Sequence, residues 1–487
     1  EDPADGNVDE FLVYGKRKFG YCTITGKDKL AAKIKSVSTV SLKKDGEKSF
    51  ATGCFLPGTD GKYAVGSQSG AIYIGKANTA LAILQSAHDK SVGAMCMAGD
   101  KLLTAGSDRK FKTFDIDTAA CGTDGKSGLT NNYECEIEVK ESDMVMLPRA
   151  IAYDGAGGIA YCGTKTNQIV RFKFDGEDSS VIVDGHDGQI WALATSPNEC
   201  IFATGGYDNA VKIWDAKTRK CVATYEFEKD DNNPKGYQFC SGHWSNNGDI
   251  LAFGTEDSNI AIFTYRGGEL KFLEIINIPP KNENAEVEGV AYLRFSGKTE
   301  YLAAAHMDSN LYIYSIGNAT GDSPSFDVWA PMGHVAAPTN VQFNADATMV
   351  KTLTRDYEIA HWTLDGNAKK GSFAANQPHP DKMEWTDDPL IAGWDTQGLY
   401  QKGWDGTDLN DATVTSDNKF IASGDDYGNV RLHSYPAINP DFNKKYGGHA
   451  EFVVGVEFLR DDSQLITCGG NDMAIFQWKL NVSKDKK

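Results

Sequence analysis

The sequence predicts an all-β protein made of tandem WD-type β-propellers, with about ten to eleven blade units. Short runs in which apolar and polar residues alternate occur along nearly the whole chain, and turn-forming residues separate them. The pattern returns every roughly 40–60 residues, which is the length of one four-stranded blade with its loops. Alternation predicts the strands, and the period predicts the repeat architecture.

The clearest unit spans residues 185–215, with the strand-like runs QIWALAT, CIFATG and AVKIWD. Four polar or aromatic side chains in it have a spacing that lets them satisfy each other when buried. An imidazole can bond a carboxylate through one nitrogen and a hydroxyl through the other, while an indole N–H donates to the hydroxyl. We predict that these residues form a structural tetrad: His186, Thr204, Asp208 and Trp214.

The same set recurs in three other places. The C-terminal copy consists of His449, Thr467, Asp472 and Trp478. A third set consists of His334, Thr352, Asp356 and Trp362. A fourth has phenylalanine in the tryptophan position and consists of His88, Thr104, Asp108 and Phe114. We interpret all four sets as architecture, not as catalytic or metal-binding groups.

Other units keep the strand pattern without the polar set. They lie at residues 51–76, 144–174, 237–265, 287–316 and 406–436, and an incomplete unit begins at Phe11. An eleventh unit is predicted at 384–401, which has strand-like runs but no tetrad. Trp394 and Trp404 lie outside the tetrad positions, so they are either exposed binding aromatics or packing residues of an irregular blade.

Composition restricts the function classes. The chain has 487 residues, a net charge of −18 and no apolar run near the ~18 residues of a membrane span. This acidity argues against nucleic acid as a partner, because phosphate binding needs a concentrated basic face. Ten cysteines without a CxxC motif or a regular framework favour reduced thiols. We therefore expect neither a nucleic-acid partner nor a membrane partner.

One segment departs from the overall acidity. Residues 11–50 contain ten Lys or Arg against three acidic residues. Such a basic segment on an acidic protein is either a contact site for an acidic partner or a set of solvated strand faces. The sequence leaves both interpretations open.

Motifs for chemistry are weak. Residues 120–127 approach a phosphate-binding loop, but Ala120 replaces its first glycine. Asp405, Asp408 and Asp411 are three residues apart, which does not match the calcium-loop spacing. The nine histidines form no HExxH motif. We predict no catalytic residue, no cofactor and no metal site, and thus a protein that acts by binding other proteins.

Several segments in a fixed order resemble the echinoderm microtubule-associated protein-like family. They are LVYGKRKFGYCTITG at 12–26, AHDKSVGAMCM and KLLTAGSDRK within 87–110, GHDGQIWALA at 185–194, DGTDLN and IASGDDYGNVRLHSYP within 405–436, and YGGHAEFVVGVEFLRDDSQLITCGGNDMAIFQW at 446–478. GDDYGNVRLHSYP, followed by GGH and the final CGGND and QW, is the most specific part. The resemblance covers about residues 10–480.

This resemblance implies two β-propellers in tandem. Residues 1–180 would be the latter blades of a first propeller whose upstream blades are absent from this sequence. Residues 181–481 would be a second propeller of about seven blades, and 482–487 a basic tail. An incomplete propeller exposes strand edges and an apolar blade face, so we expect either that the missing blades exist in the native protein or that another chain covers that edge.

The resemblance also implies association with microtubules. The expected partners are tubulin or microtubules and other cytoskeletal or axonemal proteins, and the expected location is the cytoplasm, on microtubules. Whether the setting is cytoplasmic or axonemal stays open. The basic residues expected to face tubulin are Lys16, Arg17, Lys18, Lys43 and Lys44. The alternative is a general WD-repeat scaffold that does not bind microtubules directly.

Overall fold

A computed structural model gives the conformation of most of the chain, and the all-β prediction is confirmed. The strands form ten antiparallel sheets in the described residues, and the one named helix there is a 3-10 turn, Gln397–Leu399. No helix in this part of the chain is both long and apolar enough to span a membrane. The described residues are 9–15, 18–25, 33–39, 49–77, 79–136, 148–173, 179–228, 235–279, 288–321, 323–374, 383–385, 388–405 and 408–481.

The chain divides into two compact units, Glu1–Gly185 and His186–Lys487. Each unit has its own set of sheets. The assignment of residues 1–180 to the latter blades of a first propeller stays a prediction.

The described residues of the first unit form four sheets, each with strands in chain order. The first sheet is β1 Asp9–Gly15, β2 Lys18–Thr25 and β3 Lys33–Thr39. The second is β4 Phe50–Phe55, β5 Lys62–Ser67, β6 Ile72–Lys76 and β7 Thr79–Leu84. The third is β8 Val92–Ala98, β9 Lys101–Gly106, β10 Lys110–Ile116 and β11 Leu129–Glu136. The fourth is β12 Pro148–Asp154, β13 Ile159–Thr164, β14 Gln168–Lys173 and β15 Ser179–Asp184.

The fourth sheet of this unit is buried on one face only. Strands β13 and β14 contribute four side chains to a core shared with the third sheet: Ala160, Cys162, Val170 and Phe172. Its first strand β12, by contrast, is largely exposed, whereas the corresponding strand β8 is largely buried. Ile169 and Val183, which are paired across β14 and β15, are each 38% exposed. An incomplete propeller would expose a blade face in this way, but the assignment of this unit to an incomplete propeller stays a prediction.

The second unit contains six sheets within its described residues. The first is β16 Ile190–Thr195, β17 Ile201–Gly206, β18 Ala210–Asp215 and β19 Lys220–Glu226. The next is β20 Phe239–Trp244, β21 Ile250–Thr255, β22 Asn259–Arg266 and β23 Glu269–Asn277. The third is β24 Val290–Phe295, β25 Tyr301–His306, β26 Asn310–Gly317 and β27 Ser325–Val328, with the short β28 Met332–Gly333 also paired to β26.

The remaining three sheets complete the unit. They are β29 Pro338–Phe343, β30 Met349–Thr354, β31 Ile359–Asp365 and β32 Lys370–Phe373; then β33 Leu409–Val414, β34 Phe420–Asp425, β35 Asn429–Ser434 and β36 Asn443–Gly447; and last β37 Val453–Phe458, β38 Gln464–Gly469 and β39 Ile475–Lys479. The first strands of neighbouring sheets contact each other in chain order, from β16 to β20, β24 and β29, and from β33 to β37. Strand β37 in turn contacts β16, so the unit closes on itself as a ring around these inner strands.

One position in this ring is filled without a sheet. Residues 384–401, where we predicted an eleventh unit, form an isolated bridge from Trp385 to Asn344 and the 3-10 turn, but no sheet within their described part. Leu390, Ile391 and Leu399 nevertheless pack between Leu353 of β30 and Ile421 of β34. Pro389 and two glycines, Gly393 and Gly398, interrupt the alternation in this segment, which explains why it packs as an irregular chain.

Aromatic packing holds adjacent sheets together. Phe239, Phe253 and Phe263 are fully buried, and they lie in one core with Ala192 and Val211 of the preceding sheet. Burial of each ring contributes about 1.5–3 kcal/mol. The cysteines whose side chains are described are all free thiols.

Candidate functional site

The polar set of the first sheet in the second unit is complete. His186 Nδ1 lies 2.9 Å from Asp208 Oδ1, and His186 Nε2 lies 2.7 Å from Thr204 Oγ1. The indole N–H of Trp214 donates to the same Thr204 oxygen over 2.7 Å. This geometry fits an imidazole that donates from Nδ1 to the carboxylate. Since both ring nitrogens are engaged and His186 is 1% exposed, the set can stabilise the blade but is closed to a substrate.

Two further sets have the same geometry. His449 lies 2.9 Å from Asp472 and 2.8 Å from Thr467, to which Trp478 donates over 2.9 Å. In the first unit, His88 lies 3.0 Å from Asp108 and 2.8 Å from Thr104. Phe114 stands in the tryptophan position there and is buried. The structure therefore brings the predicted residues together in three of the four sets.

The third predicted set is only partly assembled. His334 Nε2 lies 2.8 Å from Thr352 Oγ1, as expected, but its Nδ1 lies 3.0 Å from the Met332 carbonyl oxygen. Asp356 is exposed and accepts a hydrogen bond from Thr354 instead. The buried N–H of Trp362 has no hydrogen-bond partner among the described residues. The expected pairing of Asp356 with His334 was thus wrong.

A glycine accounts for this difference. In the complete set, a Cβ on Gly206 would lie 2.7 Å from Asp208 Oδ1 and 2.8 Å from His186 Nδ1. Gly106 and Gly469 hold the same place beside the other two complete sets. By strand register the equivalent residue of the third set is Thr354, whose side chain occupies that space. The complete set therefore requires a glycine two residues after its threonine. The absence of this glycine from the third set can be read directly from the sequence.

Sequence reasoning missed one further histidine set. His306 lies 2.9 Å from Asp308 and 3.0 Å from Ser258, which belongs to the preceding sheet. Tyr312 donates to Asp308 over 2.8 Å. The His-x-Asp spacing was a local signal, but the hydroxyl partner comes from a different blade and lies far away in sequence.

The inner strands of the second unit bring charged side chains together around the ring axis. Arg294 lies 3.0 Å from His243 Nε2 and 3.6 Å from an Asp388 oxygen, and it donates to the Tyr292 hydroxyl over 2.7 Å. Asp411 and Glu457 line the same cavity as these residues. The cluster comes from four sheets and the irregular segment, so no single sequence window revealed it.

The carboxylates of this cluster join neighbouring inner strands. Asp411 accepts the Val456 N–H over 2.8 Å, and Asp388 accepts the Val414 N–H over 2.7 Å. Glu457 accepts the Thr195 N–H over 2.6 Å, which links the last sheet of the unit to the first. An inner strand is an edge strand, so these bonds satisfy N–H groups that the sheet leaves unpaired.

Burial shifts the pKa values of these groups. It raises the pKa of Asp411 to about 7 and that of Glu457 to about 8, with the neighbouring carboxylates adding to the rise. Burial also lowers the pKa of His243, and the charge of Arg294 lowers it further. Burial therefore favours the uncharged forms of both carboxyl groups and of His243.

Two cavities flank the cluster. One of about 120 Å³ is lined by Trp191, Asp411 and Glu457 among others, and one of about 340 Å³ by Ser196, Arg294 and Asp462 among others. Among the residues that the structure describes, no three His, Cys, Asp or Glu side chains are placed to hold a metal ion.

The remaining candidates are the basic residues expected to face tubulin and the two tryptophans outside the tetrad positions. Lys16, Arg17, Lys43 and Lys44 lie outside the described residues, and of Lys18 only the backbone, at the start of β2, is described. Trp394 is 69% exposed. Trp404 packs against Tyr427 at 5.7 Å between ring centroids, with the Arg431 guanidinium 5.0 Å from its ring. Trp394 thus has the exposure of a binding residue, and Trp404 packs within its blade.

The ring of antiparallel sheets and the buried His, Thr, Asp and Trp sets define a WD-type β-propeller protein. Residues 190–480 match the family model described as the second β-propeller of echinoderm microtubule-associated protein. This match covers more than half of the chain. The chain therefore belongs to the echinoderm microtubule-associated protein family.

Individual relatives extend the similarity beyond the second unit. Echinoderm microtubule-associated protein-like 2 of Mus musculus is 30% identical over 429 residues, which is 88% of this chain and 60% of that protein. The 77 kDa echinoderm microtubule-associated protein of Strongylocentrotus purpuratus is 27% identical over 97% of this chain and 63% of its own length. That of Lytechinus variegatus is 28% identical over 86% and 58%. The chain spans about 60% of the length of these relatives.

Proposed function

We propose that this protein is a non-enzymatic propeller protein of the microtubule cytoskeleton, which binds tubulin or holds other proteins on microtubules. One observation carries the proposal: the chain is 30% identical, over 88% of its length, to a relative named as a microtubule-associated protein. Membership in the family supports the same function.

The geometry of the polar sets supports a binding role. The three complete sets engage both nitrogens of their histidines with side chains of the same blade. Their burial makes them stabilising elements, and a stable blade presents its loops in fixed positions to a partner. The function then lies on the surfaces of the blades.

For the surface that faces tubulin, we propose the basic segment of the first unit. Residues 11–50 carry ten Lys or Arg against three acidic residues, on a chain with a net charge of −18. An acidic partner surface attracts such a segment and repels most of the remaining chain, so the segment sets the orientation of binding. The residues to test are Lys16, Arg17, Lys18, Lys43 and Lys44.

The test is co-sedimentation of the full chain with purified microtubules at low and high salt. Wild-type protein should pellet with microtubules, and added salt should release it, because screening weakens exposed charge pairs. Changing the five basic residues to Gln should lower the apparent affinity on the order of tenfold.

A matched control separates a specific surface from total charge. Five exposed lysines elsewhere, Lys90, Lys126, Lys165, Lys217 and Lys220, are changed to Gln together, which gives the same change in net charge. This variant should pellet like wild type. If wild-type protein stays in the supernatant, direct microtubule binding is wrong. If the two five-residue variants behave alike, the assignment to the basic segment is wrong.

We further propose that the protein is located on microtubules, and imaging of the tagged protein in a ciliated cell tests this. A pattern on cytoplasmic microtubules or on the axoneme supports the proposal and decides between the two settings. A diffuse pattern overturns it in favour of a general WD-repeat scaffold that does not bind microtubules directly.

A further inference from the structure

One end of the second unit is formed by corresponding turns of all six sheets. In each sheet, an N–H in the turn after the second strand donates to the carbonyl oxygen of a residue just before the inner strand. Examples are Tyr207 to Gln189 at 2.9 Å, Glu256 to Gln238 at 3.0 Å and Gly470 to Phe452 at 3.2 Å. We call this end the upper face; it comprises the turns 207–209, 256–258, 307–309, 355–358, 426–428 and 470–474 and the residues that precede the inner strands.

The upper face exposes large apolar and aromatic side chains. Val335 is 86% exposed, Tyr427 62%, Tyr357 51% and Phe452 36%. They belong to the last three sheets of the unit, and the irregular segment 384–401 lies between the first and the second of these sheets in the ring. Exposed apolar groups concentrated on one part of a surface are a common sign of an interaction site.

Two aromatic pairs on this face are held in fixed positions. Tyr427 packs on Trp404 and donates to Asp408 over 2.9 Å. Trp191 stacks on Tyr207 with 6.2 Å between centroids, and its N–H donates to the Gln189 side chain over 2.9 Å. Rings that are already ordered lose little conformational entropy when a partner binds, and Trp and Tyr are frequent in interface hot spots.

The exposed charged residues of the upper face indicate the kind of partner that this face binds. Glu256, Asp356, Glu358 and Glu451 are exposed on the upper face, and Arg355 is the basic residue in its turns. The opposite end of the ring, which we call the lower face, exposes both signs of charge: lysines such as Lys217, Lys220, Lys369 and Lys419 and acidic residues such as Glu199, Asp365, Asp417 and Asp461. Carboxylates beside exposed tyrosine rings favour cationic side chains, because the ring faces and the carboxylates both attract positive charge.

We propose that the upper face of the second unit binds a lysine- and arginine-rich segment of a partner protein. The rings of Tyr357 and Tyr427 receive cationic side chains, and Glu358 and Glu451 flank them. This inference goes beyond the proposed function, since the segment proposed to face tubulin is itself basic and lies in the first unit.

The test is binding of a fluorescent peptide rich in lysine and arginine to the full chain, followed by anisotropy. A peptide with glutamate in place of each basic residue serves as the control ligand. The variant carrying Glu358→Lys and Glu451→Lys should bind the basic peptide on the order of tenfold more weakly. Tyr357→Leu together with Tyr427→Leu should weaken binding severalfold, because an apolar side chain remains but the aromatic face is lost.

A matched pair of substitutions on the lower face controls for net charge. Glu199 is exposed in a turn at that end and Glu269 is exposed at the start of β23, and Glu199→Lys with Glu269→Lys changes the net charge by the same amount. This control should bind the basic peptide like wild type. Circular dichroism checks that all variants are folded.

Several results would overturn the proposal. One is a lower-face control that loses as much affinity as the upper-face variant, since binding would then follow net charge alone. Another is equal binding of the acidic peptide by wild type. Microtubule co-sedimentation of the upper-face variant keeps the two proposals apart, because pelleting at the wild-type level is expected whether or not the peptide binds.

Discussion

The sequence predicts the same polar set in the sheet β16–β19 and in the sheet β29–β32, but in the structure the two sets have different hydrogen bonds. Both have a histidine, a threonine, an aspartate and a tryptophan at matching places, and in both the histidine lies within 2.8 Å of the threonine. In the first sheet the aspartate and the tryptophan join the network, whereas in the other neither does. Four matching residues are therefore not sufficient to form the set, because the strand must also leave space for their side chains.

The largest expected effect comes from filling that space. Gly206→Thr should displace Asp208 from His186 and cost about 3–5 kcal/mol, because a buried polar network loses a partner. The measurement is urea unfolding followed by tryptophan fluorescence. All nine tryptophans of the chain lie in the second unit, so the signal reports on this unit.

The matched control for this substitution is Gly447→Thr. Gly447 is also in a strand of the second unit, and a Cβ there would meet only one atom, at 3.9 Å. The control should change stability little. An equal loss in both variants would refute the requirement for glycine beside the set.

The next largest effect is the difference in stability between variants of Asp208 and of Asp356. Burial alone would raise the pKa of Asp208, but the hydrogen bond and charge of His186, with two backbone N–H groups, outweigh it and hold this pKa below its usual range. A lowered pKa in the folded state gives stability that is present above the unfolded-state pKa and is lost as pH falls through the folded-state value.

Asp208→Asn should therefore cost about 2 kcal/mol at neutral pH and reduce the loss of stability below about pH 4. Asp356→Asn removes an exposed carboxylate and should leave the urea midpoint unchanged. The check is the urea midpoint of each variant between neutral and acidic pH. Parallel pH profiles for Asp208→Asn and wild type would contradict the assigned role of Asp208.

A smaller effect distinguishes the two tryptophans. Trp214→Phe removes a hydrogen bond to Thr204, whereas Trp362→Phe removes a buried N–H that has no partner among the described residues. Both indoles are similarly buried, so the loss of packing is comparable. The first variant should be less stable than the second by about 1 kcal/mol in thermal unfolding. Equal losses would mean that the indole hydrogen bond contributes nothing.

We expect the smallest effect from a substitution that lets the third set, that of His334, form completely. Thr354→Gly makes room for Asp356 to approach His334, whose pKa burial now holds below its usual value. A carboxylate at Nδ1 favours the charged imidazole, so this pKa should rise in an NMR titration. The double variant Thr354→Gly with Asp356→Asn is the control and should show no rise. A rise in both variants would place its cause elsewhere.

Much of the fold could be predicted from the sequence because blade signals are local. Alternation over six or seven residues predicted the strands, and His186, Thr204, Asp208 and Trp214 lie within one unit that the structure closes. The segment at 384–401 was mispredicted as a unit, since its short apolar runs lack the hydrogen-bonding partners that make a sheet. The His306 set depends on Ser258 of a neighbouring sheet, which spacing within one unit does not show.

By itself, the sequence determined the β class, the repeat and three of the buried polar sets, because each depends on residues close together in the chain. It also contained the reason why the third set is incomplete, in Thr354, but the three-dimensional contact was needed to show it. The charged cluster of Arg294, Asp411 and Glu457 and the grouping of exposed acidic and aromatic side chains on the upper face became visible only in three dimensions. Those features arise because closing the ring places residues from distant parts of the chain on one axis or one face.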